Sequence, residues 1–176
     1  MIRHVLIRPF TAAELGKVVD LHVSLCFFVY TTAQRLQHKL LPVRYPPAFF
    51  LQLLTLSNRT CLIACSPDDP SHPIAFVSAA LSAPRLEILT LGVLPAHQHC
   101  GLARLLITRV VAYFRESCAH IFTGKYLVHA NVSTSNISAI NFYQRIGMSV
   151  SPPIIRNLYS TLSPGSRDAY LVVGIL

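Results

Sequence analysis

Acidic residues are scarce in this chain of 176 residues. Asp and Glu together number 7, against 15 Lys and Arg, which gives a formal net charge of +8 at pH 7. Charged residues make up only 12% of the sequence and apolar residues 52%, and this balance excludes a disordered, solvated chain. The basic residues form no run, so the sequence does not indicate a nucleic-acid groove. The positive balance suits an anionic cofactor, or docking near a polyanion such as the ribosome.

The sequence also lacks the long apolar segments of a membrane protein. The charge-free stretch Val23–Ala33 is shorter than the roughly 20 residues that a spanning helix needs. The first residues lead directly into a strand-like pattern, without the apolar segment and cleavage site of a secretory signal. We therefore expect a soluble, cytoplasmic protein with no membrane segment.

Cysteine and histidine do not occur in the spacings of a disulfide framework or a metal site. The 5 cysteines are an odd number, and in a chain without a signal we expect reduced thiols. His97, His99 and Cys100 lie close together but lack a fourth ligand, so no metal is expected.

Local patterns predict a single α+β domain over residues 1–176. Alternating apolar residues bounded by turn residues predict strands, and a 3.6-residue apolar period predicts helices. The predicted strands are 3–9, 60–64, 73–81, 85–93, 125–133 and 169–175, and the predicted helices are 12–25, 48–56, 101–116 and 138–146. The order of these elements indicates an α+β or α/β domain with a mixed sheet.

The loop Gln98–Ala103 is the first segment that points to chemistry. It places Gly101 and Ala103 where a helix begins, directly after a predicted strand. The first N–H groups of a helix and the positive end of its dipole form a binding place for phosphate. A Q-x-x-G-x-A hexapeptide alone is not specific.

A second segment makes the pattern specific. Asn136–Met148 reads N-x-x-A-x-x-F-Y-x-x-x-G-M and follows a predicted strand. Together with the loop, it resembles the two coenzyme motifs of the GNAT superfamily of acyl-CoA N-acyltransferases. The resemblance implies the GNAT fold, with a central mixed sheet flanked by helices, and acetyl-CoA as co-substrate.

Within this superfamily, three segments resemble the catalytic subunits of the NatE type. They are Leu41–Tyr45, Leu89–Pro95 and Ser135–Tyr143. This resemblance implies acetylation of the α-amino group of protein N-termini, with Met followed by a hydrophobic residue preferred. It also implies association with the scaffold and catalytic subunits of the NatA complex, near the ribosome.

The resemblance assigns residues to the coenzyme and to the peptide. The coenzyme residues are Leu91, Gly92, Val93, Gln98, His99, Cys100, Gly101, Leu102, Ala103, Arg104 and Asn136, with Tyr143 near the sulfur as acid. The peptide residues are Leu41, Pro42, Val43, Tyr45, Leu89, Leu158 and Tyr159.

Acetyl transfer to an amine requires that the amine lose its proton. An α-amino group has a pKa of about 7.7–8.0, against about 10.4 for lysine, so a water-linked base is enough for a protein N-terminus. Glu87 is the candidate base, because it is the acid within an apolar strand and alternation places it on one face with Leu89 and Leu91. It stands where histone-acetylating GNATs have a glutamate and NatE enzymes commonly have tyrosine.

The second proton-relay residue is open between His129 and Asn131. The NatE histidine position, five residues before the motif Asn136, is Asn131 here, and His129 stands two residues earlier. Both side chains are expected on one face of their strand. Either His129 replaces the family histidine, or Asn131 holds a water.

Residues 24–38 have no counterpart in the NatE resemblance. They are either a true insertion or an artefact of the gene model. Two alternative functions stay open: a structural NatA subunit that binds acetyl-CoA with little or no turnover, and a GNAT that acts on lysine or a small amine.

Overall fold

The fold is built on one seven-stranded mixed sheet. A computed structural model describes residues 7–9, 40–41, 45–66, 68, 73–119, 122–159 and 167–176. The strands are β1 (Ile7–Pro9), β2 (Arg59–Cys65), β3 (Pro73–Ser82), β4 (Arg85–Val93), β5 (Leu127–Ser133), β6 (Ser149–Ile155) and β7 (Ala169–Ile175), in the spatial order β1-β2-β3-β4-β5-β7-β6. The described helices are α1 (Pro47–Thr55), α2 (Leu102–Ser117) and α3 (Ile137–Arg145), with a 3₁₀ turn at Pro95–His97.

Strand β4 is the point where the sheet changes direction. It is parallel to β5, whereas the other neighbouring strands are antiparallel to each other. A parallel pair needs a crossover connection, and α2 provides it between β4 and β5. The GNAT arrangement expected from the sequence, a mixed sheet flanked by helices, is therefore observed.

Apolar residues cover both faces of the sheet. On one face, α2 turns Leu106, Val110 and Phe114 onto the strands, and these side chains are fully buried. On the other face, a smaller cluster of Phe50, Leu53 and Cys61 packs α1 against β2, with Leu89 of β4 alongside. The apolar period of α2 in the sequence is thus explained by one buried stripe.

A β-bulge interrupts the pairing of β3 with β4. Ser78 is opposite Thr90, and the next residue, Ala79, is opposite Ile88, so Leu89 is an extra residue on β4. The expectation that Glu87, Leu89 and Leu91 share one face is therefore wrong for Leu91. The bulge reverses the alternation, and Leu91 lies opposite Val77 and packs against the α2 side.

The pairing of β4 with β5 is short. It runs from Arg85 opposite Leu127 to Ile88 opposite Ala130 and ends there. Beyond Ile88, the two strands separate while β4 continues to Val93. The separation opens a space between the carboxyl-terminal halves of the two strands.

Most described elements match the predicted ones. Strands 85–93 and 169–175 have the predicted bounds, and the other described elements shift by one or two residues at their ends. The strand predicted at 3–9 is described only at Ile7–Pro9, and the helix 12–25 and the stretch 24–38 lie outside the described residues. None of the described helices is long and apolar enough to cross a membrane.

Strand β6 is not among the strands predicted from the sequence. Pro152 and Pro153 argue against a strand, because proline cannot donate to a ladder. The strand exists because it lies at the edge of the sheet, and its register against β7 shifts between Ser151 and Ile155, where the prolines stand.

A matched pair of leucine substitutions tests the assignment of the core. We expect Leu106→Ala, at a fully buried position, to lower the free energy of unfolding by about 2–5 kcal/mol. The same substitution at Leu51, which is 58% exposed on α1, should change it by less than about 0.5 kcal/mol. Urea denaturation of both variants is the measurement, and equal losses would contradict the assignment.

Candidate functional site

The segment between β4 and α2 exposes backbone N–H groups. Gly101 precedes the helix with a left-handed φ of 86°, and His99 has a φ of 59°. Glycine adopts this conformation at little cost, which explains its presence at position 101. Among the described residues, no side chain caps α2 and no acid lies in its first turn. The uncapped start of α2 therefore favours an anion.

Hydrogen bonds hold this loop against the end of β4. The Gln98 side chain donates from Nε2 to the carbonyl of Val93 at 3.0 Å. The Cys100 thiol donates to the carbonyl of His97 at 2.8 Å, and the His97 N–H donates to Leu94 at 2.8 Å. The side chains of Gln98 and Cys100 are thus turned back onto their own chain.

The loop forms one wall of an open groove, here called the loop groove, of about 790 Å³. The end of β4 forms its floor, and α3 forms the opposite wall. Its lining residues are Leu40, Leu41, Leu91, Gly92, Val93, His97, Gln98, His99, Gly101, Leu102, Ala103, Arg104, Asn136, Ser138, Ala139, Phe142, Arg145 and Ile146. The volume, the anion-favouring loop and the strand floor suit a large anionic ligand.

A smaller cavity of about 130 Å³, here called the inner pocket, lies where β4 and β5 separate. It is lined by Leu41, Tyr45, Ile88, Leu89, Thr90, Leu91, Asn131, Val132, Ser133, Asn136, Ala139, Phe142, Tyr143 and Tyr159. It shares with the loop groove the residues Leu41, Leu91, Asn136, Ala139 and Phe142. The two cavities therefore meet, and groups bound in each could react at the junction.

Tyrosines from three parts of the chain converge on the inner pocket. Burial, and secondarily the charge of Glu87, raises the pKa of Tyr45. Burial, with Tyr45 as the second cause, raises the pKa of Tyr159 to about 12. Burial raises the pKa of Tyr143 further above its usual value of 10, with Tyr159 as a smaller cause. All three phenols are protonated near neutral pH and can donate hydrogen bonds.

The hydroxyl groups of Tyr143 and Tyr159 have different partners. Tyr159 donates to the backbone carbonyl of Asn131 at 2.8 Å, which ties the segment after β6 to β5. Tyr143 is only 5% exposed, and its hydroxyl has no hydrogen-bond partner among the described residues. A buried hydroxyl of this kind in a pocket wall is available to a ligand.

Glu87 and His129 lie side by side just outside the inner pocket. They are direct partners in the parallel pairing of β4 with β5, where neighbouring strands are about 4.8 Å apart. Neither lines the pocket, whereas Leu89 and Asn131, two residues farther along each strand, do. Glu87 is close enough to the pocket residue Tyr45 to contribute to its raised pKa, so a proton from the pocket can reach Glu87 or His129 through an intervening group or water.

Most of the chain matches the model of a known protein family. Residues 28–148 match the model of the acetyltransferase (GNAT) family, which is more than half of the chain. The chain belongs to the GNAT family. It is thus an acetyl-CoA-dependent acetyltransferase with the GNAT fold. No curated protein sequence matches the chain.

Solved GNAT structures share its fold over nearly the whole chain. NAA60 of Arabidopsis thaliana, in complex with a bisubstrate analogue, has a TM-score of 0.72 at 20% identity, covering 98% of this chain and 99% of that chain. Arabidopsis thaliana Naa50, in complex with the bisubstrate analogue CoA-Ac-MVNAL, has a TM-score of 0.69 at 21% identity, covering 97% and 98%. The ribosomal-protein-S18-alanine N-acetyltransferase of Escherichia coli has 0.69 at 15%, covering 97% and 93%.

The predicted coenzyme residues of this GNAT mostly line the loop groove. Cys100 and Tyr143 do not; the Cys100 thiol turns to the chain, and Tyr143 faces the inner pocket instead. Asn136 lines both cavities, and its side chain also caps α3 by accepting from the N–H of Ala139 at 3.1 Å. Its role toward the coenzyme stays a prediction.

The predicted peptide residues divide into those that the pocket brings together and those that it does not. Leu41, Tyr45, Leu89 and Tyr159 line the inner pocket. Leu158 is 42% exposed and does not. Pro42 and Val43 lie outside the described residues.

Several residues that line the two cavities are not among those predicted from the sequence. Ser138, Phe142 and Arg145 of α3 line the loop groove, and their spacings of four and three place them on one face of the helix. This helical period was the available signal. Thr90 was not predictable, because the bulge at Leu89 determines its direction. The described residues contain no cluster of three or more His, Cys, Asp or Glu that could bind a metal.

Two substitutions at Asn136 separate its capping role from any other. Because its Oδ1 caps α3, we expect Asn136→Ala to lower the free energy of unfolding by about 1 kcal/mol. Asn136→Asp keeps the acceptor and should keep the stability. Chemical denaturation measures both, and an Ala variant as stable as the Asp variant would disprove the cap.

Proposed function

We propose that this GNAT transfers acetyl from acetyl-CoA to the α-amino group of protein N-termini, with Met followed by a hydrophobic residue preferred. The observation that carries the proposal is the junction of the inner pocket with the loop groove. Such a junction allows direct attack within a ternary complex, because donor and acceptor can be held together without a covalent enzyme intermediate.

The loop groove fits coenzyme A. Its pyrophosphate would be held by the N–H groups of the loop and the first turn of α2, where no side chain of the described residues competes. The backbone of Leu91, Gly92 and Val93 lies past the end of the β4–β5 pairing, so it can bond the amides of the pantetheine. When bound, the coenzyme supplies an activated thioester at the junction.

The inner pocket fits an apolar peptide start. Leu41, Leu89 and the rings of Tyr45 and Tyr159 line it, and Tyr45 stacks on Phe49 at 4.4 Å between ring centroids. An apolar wall of this kind favours Met over a small polar first residue. The selectivity of such a pocket is modest, about 1–3 kcal/mol per methylene.

The proton of the attacking amine leaves toward β4 and β5. Asn131 lines the pocket and can orient a water, but its amide cannot act as a base. Glu87 lies two residues before Leu89 on β4 and is paired with His129 of β5. The carboxylate of Glu87 is the proton acceptor that a water beside Asn131 would reach. Tyr143, protonated because burial raises its pKa, would donate to the leaving thiolate.

Glu87 also supports a second candidate function. A carboxylate base suits lysine or small amines, which hold their proton more tightly than an α-amino group. The apolar and aromatic lining favours the peptide N-terminus.

We further propose a cytoplasmic location near the ribosome and association with the NatA scaffold and catalytic subunits, as the NatE resemblance implies.

A peptide panel tests the proposed activity. We expect turnover on a free peptide that begins Met-Leu, with kcat/KM at least about tenfold above a Ser-starting peptide and an N-blocked lysine peptide. Glu87→Gln should lower kcat by about tenfold or more, because it removes the final proton acceptor. Acetyl-CoA consumption is measured for each peptide with the wild-type enzyme and with the Glu87→Gln variant.

Other outcomes would replace the proposal. Turnover confined to the lysine peptide would favour the second function. Acetyl-CoA binding without turnover on any peptide would favour a structural subunit of the NatA complex. Full activity of Glu87→Gln would remove Glu87 from the proton path.

Two buried tyrosines provide a matched test of the acid. Because the Tyr143 hydroxyl has no partner among the described residues, Tyr143→Phe should fold normally yet lower kcat by about 100-fold. Tyr126 is equally buried, but its hydroxyl donates to the carbonyl of Phe114 at 3.2 Å. Tyr126→Phe should therefore cost about 1 kcal/mol of stability and leave kcat unchanged. Unaltered kcat in Tyr143→Phe would contradict its role as acid.

A further inference from the structure

The wall of the inner pocket that carries Tyr159 belongs to a stretch outside the strands. Strand β6 ends at Ile155, and Tyr159 follows four residues later. The bond from its hydroxyl to the carbonyl of Asn131 holds the far end of the side chain. The position of the ring therefore also depends on what anchors the backbone of the stretch Arg156–Tyr159.

Asp168, directly before β7, anchors this stretch. Its Oδ1 accepts the backbone N–H of Asn157 at 3.0 Å, and its Oδ2 accepts from Nη1 of Arg156 at 2.6 Å. Its backbone carbonyl accepts the N–H of Thr134, the first residue after β5, at 3.0 Å. One residue thus connects the stretch after β6 with the turn between β5 and α3.

The neighbouring backbone extends this anchor to Tyr159. The N–H of Tyr159 donates to the carbonyl of Arg167 at 2.9 Å, one residue before Asp168. Tyr159 is therefore held at two points, by its N–H beside Asp168 and by its hydroxyl on β5.

Of the two carboxylate bonds of Asp168, the bond to the backbone is the one that fixes the chain. Arg156 is 73% exposed, and an ion pair in that setting contributes little. Asn157 has a left-handed φ of 54°, which residues other than glycine rarely adopt, and its N–H donates to the carboxylate. The pKa of Asp168 lies below its usual value, with the N–H of Asn157 as the largest cause and Arg156 as the next. The carboxylate therefore stabilises a turn that the chain alone does not favour.

We propose that Asp168 is a positioning residue of the peptide site: its carboxylate holds the turn at Asn157, and this turn holds Tyr159 in the wall of the inner pocket. The inference rests on the proposed function, in which that pocket takes the start of the peptide. Asp168 itself lines neither cavity, and no residue of the stretch Arg156–Tyr159 lines the loop groove. The carboxylate should therefore affect the affinity for the peptide and leave the affinity for the coenzyme unchanged.

Steady-state kinetics on a free Met-Leu peptide at saturating acetyl-CoA tests this role with three variants. Asp168→Ala removes both carboxylate bonds, and we expect the KM for the peptide to rise about tenfold, because a displacement of ~1 Å is enough to weaken a positioned contact. Asp168→Asn keeps an oxygen that can accept the N–H of Asn157 and should keep the KM within about threefold of wild type. Arg156→Ala removes only the exposed ion pair and should change the KM by less than about twofold.

Two further measurements distinguish positioning from a general loss of structure. The Kd for acetyl-CoA, measured by isothermal titration calorimetry, should be the same in all three variants and in wild type. Hydrogen exchange followed by mass spectrometry is independent of turnover, and the N–H groups of Asn157 and Tyr159 should exchange faster in Asp168→Ala than in Arg156→Ala.

A double variant shows whether the effect on the peptide passes through Tyr159. Tyr159→Ala removes the ring that Asp168 is proposed to position. In that background, Asp168→Ala should change the peptide KM by less than about twofold, because the effects of coupled residues do not add.

The outcomes separate the positioning role from the proposed function. An unchanged KM in Asp168→Ala, an equal rise in Arg156→Ala, or a full tenfold rise in the Tyr159→Ala background would each overturn the role of Asp168. Absence of both turnover and peptide binding in the wild-type enzyme would instead overturn the proposed function.

Discussion

One extra residue on a central strand sets the relation between the two cavities. The bulge at Leu89 turns Leu89 and Thr90 toward the α1 face and sends Leu91 to the α2 face. The pairing of β4 with β5 ends one residue earlier, at Ile88. A regular strand would continue the ladder and fill the space between β4 and β5. The bulge therefore gives the sheet both a gap for ligands and a strand edge with backbone groups to bind them.

The residues that line the gap and the residues just outside it have different chemical roles in the proposed reaction. Asn131 and Tyr143 line it, and both are neutral hydrogen-bonding groups near pH 7. Glu87 and His129, which can accept a proton, lie two residues before the pocket residues Leu89 and Asn131 on their strands. The proposed reaction thus separates the groups that position substrates from the group that takes the proton, which suits an α-amine that is already partly neutral near pH 7.

The sequence predicted the sheet and the loop because these depend on local patterns. The alternation of Arg85–Val93 and the glycine before α2 are readable in a few residues. It could not predict which face Leu91 occupies, since a bulge shows only in the register with a neighbouring strand. Nor could it place Glu87 outside the pocket, because that depends on where β4 and β5 stop pairing. Strand β6 was missed because its prolines are acceptable only at an edge.

The positions of proline at the two borders of the sheet have a consequence for solubility. The outermost described strands, β1 and β6, contain Pro9 and the pair Pro152–Pro153 respectively. A proline withholds the N–H that an approaching strand from another molecule would need, so neither border offers a full template for intermolecular β-pairing. In a chain that is 52% apolar and poor in acids, prolines in these border strands reduce the tendency of the sheet to pair with a strand of another molecule.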